Sequence, residues 1–286
     1  MAAVYWGLAV LVLFGGLAAQ AWRIRIRRAH EQAEVRRRAI ELIRYLRQLF
    51  ELLQKHRGLC FGYMSGEDGL QARLWTTYQQ IEDLLAQSGH YEASLYWFPG
   101  WHGVREGWAR IRERDERHSA EAEVVLLEHN QLIGHLLDTV RDLAHQHDLV
   151  RLGGLAAQPP GFWLELLEHA ELLGQARALG TGIAARRQNT QTQREELRAL
   201  RQRIADRAYL TLAALHADPT LRSVLSQRIG EAEDSLDFLL GLIDRLVAGT
   251  GLAPVRSAAY FQAATVTIAG HLGLADTLLD QLQSHG

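Results

Sequence analysis

An all-α fold is what this sequence predicts: two four-helix bundles, eight helices in all, with an N-terminal transmembrane helix. Leu, Ala, Arg, Glu and Gln dominate its 286 residues, and five prolines leave long stretches unbroken. All five of those residue types are good helix formers. No run of β-branched residues alternates with polar ones, so no sheet is expected. One helical pattern also occurs twice. Leu46, Phe50, Leu53, Arg57, Cys60 and Met64 are spaced as one buried seam, apolar except for its arginine. Leu166, Ala170, Leu173, Arg177, Gly180 and Ala184 form a second seam with an arginine at the same place. Aligned on the arginines, Glu51, Leu52, Leu53, Leu59 and Gly62 fall on Glu171, Leu172, Leu173, Leu179 and Gly182. Such a repeat implies two similar helical modules.

The first element is the uncharged run Ala2 to Trp22, with Tyr5, Trp6 and Trp22 near its ends. About 20 apolar residues span a bilayer, and amphipathic aromatics sit at its interfaces. The basic residues Arg23, Arg25, Arg27, Arg28, Arg36, Arg37 and Arg38 follow the run and almost none precede it. That asymmetry puts the C-terminal side in the cytoplasm of a single-pass inner-membrane protein, with the basic run against anionic headgroups. A cleaved signal peptide would carry its charge before the apolar core. Residues 1–29 are thus expected to be the anchor and its juxtamembrane segment.

Residues 30–150 are expected to form the first module. Its helices run from His30 to Ser65, from Gly69 to Ser88, from Val104 to Arg117 and from Ala120 to His147. Tyr91, Tyr96, Trp97, Phe98 and Trp101, with Trp108 beyond, are expected to cap the bundle, or else to dock a partner. Glycines and prolines in 151–161 mark a linker. The second module, 162–286, repeats the scheme with helices from Phe162 to Gln188, Thr192 to His216, Asp218-Pro219 to Val247 and Ser257 to Gln283. The last helices match as well, since Asn130 and Thr265 are the polar entries of corresponding seams.

Composition excludes several functions. A formal net charge of -2 gives no global field for nucleic acid, and none is expected as a partner. The lone Cys60 rules out an internal disulfide framework and a cysteine zinc site. Asp115-Glu116-Arg117-His118 offers one Asp-x-x-His, but no second motif matches it as a di-iron bundle requires. No Ser-His-Asp grouping, phosphate loop or metalloprotease motif occurs. The expectation is a protein that is not an enzyme and has no cofactor and no metal.

Gln54-Lys55-His56-Arg57-Gly58, then Leu173-Gly174-Gln175-Ala176-Arg177-Ala178-Leu179-Gly180, then Tyr260 to Ile268 resemble three motifs of the nitrate- and nitrite-sensing (NIT) domain family. They stand in the family's order, and the resemblance covers about residues 40 to 284. It implies a sensor of nitrate or nitrite whose motif arginines, here Arg57 and Arg177, grip the anion. The family usually joins this sensor to an output module; because this chain ends at Gly286, just after the eighth helix, a separate signalling protein is expected to read it. A homodimer is left open. The acidic residue that the family usually places before the first arginine is His56 here. A guanidinium can offer two parallel N–H donors to a planar anion. Gly58 and Thr181 are small enough to let a ligand approach, and Asn130 and Thr265 could complete the site with neutral hydrogen bonds. The competing expectation pairs each arginine with a carboxylate on a neighbouring helix, such as Asp138, Asp142, Asp234 or Asp237. In that case the chain is a membrane-tethered scaffold that no longer binds the anion, with Trp97 and Trp101 on its working surface.

Overall fold

The computed structural model describes residues 2–117, 121–150, 162–186, 190–248 and 255–284, all but the turns between them helical. Among the described residues nine α-helices stand where eight are expected: α1 (Ala2–Met64), α2 (Gln71–Ala86), α3 (Glu92–Leu95), α4 (Pro99–Arg117), α5 (Ala122–Gln146), α6 (Phe162–Arg186), α7 (Gln191–Ala217), α8 (Pro219–Ala248) and α9 (Ser257–Ser284). The additional one, α3, is a single turn inside the aromatic segment. The expected linker 151–161 lies outside the described residues.

Local sequence explains most of the ends. Gly66 stops α1 with φ of 101°, while the Glu67 N–H donates to the Gly62 carbonyl at 3.1 Å and the Gly66 N–H to that of Tyr63 at 2.9 Å. Only glycine adopts that left-handed conformation at no steric cost. Thr190 and Gln193 close a capping box at the start of α7. The Asp218 carboxylate accepts from the Thr220 and Leu221 N–H groups, so Pro219 opens α8.

The expected break between anchor and first helix is absent, because α1 runs unbroken for 63 residues. At 1.5 Å per residue such a helix is about 95 Å long. Among the described residues no helix is long and apolar enough to cross a membrane. The apolar run expected as an anchor lies in α1 within residues 2–22, and the side chains of 2–15, 17 and 18 are outside the described set. The fold therefore gives the transmembrane expectation no support of its own.

Helix α6 packs most extensively on α9, and α1 packs on α2, α5 and α6. The two helices that carry the repeat, α1 and α6, thus lie against each other. One hydrophobic cluster joins residues from both expected modules, from Ile40 and Leu46 on α1 to Leu173 on α6 and Leu278 on α9. In the aromatic segment Leu95, Phe98, Trp101 and Trp108 are buried, so these residues cap the core. Trp101 is only 1% exposed and corrects its placement on a docking surface, whereas Trp97 is 79% exposed. An i, i+4 step separates the two, and only one of them faces the bundle.

Candidate functional site

Both seam arginines are buried, Arg57 at 0% and Arg177 at 2% exposure. Their helices cross where two small residues let them approach. A Cβ on Gly174 would stand 2.6 Å from Arg57 Nη2 and 2.7 Å from Gln54 Nε2. A Cβ on Gly58 would meet Phe261 at 3.0 Å and Arg177 Nε at 3.4 Å. Each arginine is thereby pressed against the backbone of the opposite helix.

Arg57 is neutralised. Its guanidinium donates to both oxygens of Glu171, Nη1 to Oε1 at 2.6 Å and Nη2 to Oε2 at 3.1 Å. Nη1 also donates to Asn130 Oδ1 at 2.8 Å. Gln54 Nε2 donates to Glu171 Oε2 at 2.7 Å and to the Ala170 carbonyl at 2.9 Å, and Gln175 Nε2 to Glu171 Oε1 at 2.9 Å. A carboxylate that accepts this many bonds is a well-satisfied buried anion.

Arg177 is not neutralised. Its Nη1 donates to Thr265 Oγ1 at 3.1 Å, while Nε and Nη2 are buried without a hydrogen-bond partner. Among the described residues no carboxylate pairs with it. Its guanidinium lies 5.0 Å from the centre of the Phe261 ring. Burial, with Arg57 next in weight, pulls its pKa down to about 9. Even so, it is charged at neutral pH. A buried cation with no counter-charge is costly, and it favours whatever anion can reach it.

The other expected residues gather here in part. Asn130 reaches Arg57 and Thr265 reaches Arg177, as corresponding positions of the last helices. Thr181 donates its hydroxyl to the Arg177 carbonyl at 2.6 Å, and Gly58 lies against the Arg177 side chain. Asp138 pairs with Arg141 on its own helix, and Asp237 bonds Tyr209. The carboxylate that answers Arg57 is Glu171, in the second copy of the repeat, two residues before the second motif. Its equivalence to Glu51 was visible in the repeat, but not which arginine it would serve.

His56 turns away from the arginines. His129 donates its Nδ1 proton to the Val125 carbonyl at 2.7 Å, so its Nε2 accepts from His56 Nδ1 at 2.9 Å. His56 also lies edge-on to Trp108, with ring centres 5.1 Å apart. Burial, then His129, holds His56 well below the usual histidine range; burial chiefly brings His129 down to about 4. Both are neutral at pH 7. No group of three or more metal-ligating side chains occurs among the described residues.

Residues 48–283 match the family described as "Nitrate and nitrite sensing". The chain belongs to this NIT family, and its sequence motifs lie within the matched span. No curated protein matches it. Among solved structures it is similar to the NasR transcription antiterminator, at TM-score 0.71 and 20% identity over 92% of this chain and 73% of that one. At that identity the likeness shows a shared fold. Family membership places the chain in a nitrate- and nitrite-sensing class.

Proposed function

We propose that the anion binds at Arg177, with Thr265 beside it and Arg57 across the α1–α6 contact. The observation that carries this reading is the buried Arg177 guanidinium, which has two unpartnered nitrogens and, among the described residues, no carboxylate partner. Nitrate and nitrite are small, planar and singly charged, so one of them could accept from Nε and Nη2 as a second carboxylate would. Low local dielectric strengthens that contact. Arg57, held by Glu171, would contribute its remaining Nε proton and its position; Asn130, Gly58 and Thr181 would shape the site. Binding would draw α6 and α9 together at Arg177 and bias how α6 packs on α1. Because α1 is one continuous helix, the shift would travel along it to a membrane anchor and to a separate signalling protein. The basic residues after the apolar run favour a cytoplasmic sensor.

Thermal unfolding of the full chain in nitrate, nitrite, chloride and sulfate at matched ionic strength tests the reading. A specific ligand at a hundred times its Kd should stabilise the fold by about 2.7 kcal/mol. Arg177→Met should lose that response. An equal rise with all four salts, or an Arg177→Met variant that responds like the parent, would overturn it. The second reading, a scaffold that has lost the ligand, rests on the exposed Tyr96 and Trp97. It expects indifference to nitrate, and loss of a partner on Trp97→Ala.

A further inference from the structure

Phe261 is fully buried, yet two arginines lie against its ring. Arg177 is 5.0 Å from the ring centre, and Arg73, an exposed residue of α2, is 4.9 Å from it. Lys55, half-buried on α1, stands three residues before Gly58, whose Cβ position would lie 3.0 Å from the same ring. Burial first, and then Arg73, pulls its ammonium group below the ordinary lysine value, with a smaller push from Arg177. Among the described residues neither Lys55 nor Arg73 has an ion-pair partner. Glu51, the carboxylate that acts on Lys55, is itself held by Arg47 at 3.0 Å. The surface outside Phe261 is therefore positive and unneutralised, as is the interior behind it. Phe261 also belongs to a small cluster with Leu59, Cys60, Leu70, Leu74 and Val125, separate from the main core.

From the two cation–ring contacts we infer that Lys55 and Arg73 collect the anion at the surface, and that the Phe261 ring is the plate it passes to reach Arg177. The inference rests on the reading of Arg177 as the anion site. Charges at a site mouth steer ions and raise association rates, and salt weakens that effect. An aromatic plate acts on entry and exit alike.

The test is nitrogen-15 NMR line shape of labelled nitrate exchanging with the full chain, which yields both rates. In the Lys55→Gln, Arg73→Gln double variant the association rate should fall about tenfold at low salt, with dissociation changed less than about twofold. Potassium glutamate should shrink the difference, and Arg73→Lys should behave like the parent. Phe261→Leu should speed both rates with little change in Kd. An unchanged association rate in the double variant overturns the collecting role and leaves Arg177 standing. Unchanged rates in a folded Phe261→Leu variant overturn the plate. Should Phe261→Leu fail to fold, Phe261→Met, of similar volume but without the ring, takes its place, and unchanged rates there overturn the plate. A parent that exchanges no nitrate overturns the Arg177 reading and this inference together.

Discussion

Arg57 and Arg177 occupy the same place in a repeated motif, yet their surroundings are opposite. Arg57 meets a carboxylate and Arg177 does not. The motif glutamates explain this. Glu171 points inward to Arg57, while Glu51, its counterpart, is exposed and pairs with Arg47 on its own helix. Three residues on, the repeat places Gln54 against Gly174. Gln54 lies over Gly174 and donates to Glu171, holding that carboxylate inside. The reciprocal position has no side chain, so nothing equivalent holds Glu51. One large-for-small exchange leaves one arginine paired with a carboxylate and the other, among the described residues, without one.

Breaking the paired half should have the largest effect. Glu171→Ala strands Arg57 in the core and should cost about 3–5 kcal/mol in urea unfolding. Glu51→Ala removes an exposed pair and should cost less than about 1 kcal/mol. Equal costs would erase the comparison. The arginines should differ in the same way. Arg57→Met strands Glu171 and should lower the unfolding temperature markedly. Arg177→Met removes an uncompensated charge and should leave that temperature near the parent's, or above it, while removing the nitrate response.

A smaller loss is expected at the crossing. Gly174→Ala puts a methyl group where Arg57 and Gln54 now lie, and should cost about 1–3 kcal/mol by denaturant unfolding. Acid acts gradually rather than at a single substitution. The Arg57 half carries His56 and His129, where the other half has Ala176 and Ala264. Their folded pKa values lie below the unfolded value of about 6.5, so below that pH the unfolded chain binds more protons. Stability is then complete above about pH 6.5 and is lost as pH falls toward 4, by up to about 1.4 kcal/mol per pH unit for each histidine. His169, also brought down to about 4 by burial, adds to the slope. Urea midpoints at pH 7, 6 and 5 check this, and a flat profile would mean that the pair is not buried neutral.

Most of the helical plan was legible in the sequence, since the turn, cap and seam signals are local. Gly66 and Asp218-Pro219 end and start helices by backbone chemistry that neighbouring residues decide. The helix inside the aromatic segment was not legible, because a single turn has no periodicity to read. Nor was the fate of Trp101 against Trp97, which depends on the face the bundle covers. At the site, the sequence marked Arg57, Arg177, Asn130 and Thr265, because a polar residue on an apolar seam must find a partner. It could not choose the partner. Glu171 and Glu51 are equivalent by spacing, and only the packing of α1 on α6, with Gln54 seated over Gly174, sends one inward and the other to solvent. Periodicity determines what is buried; the tertiary contacts decide which buried charge is answered, because that depends on atoms more than a hundred residues apart.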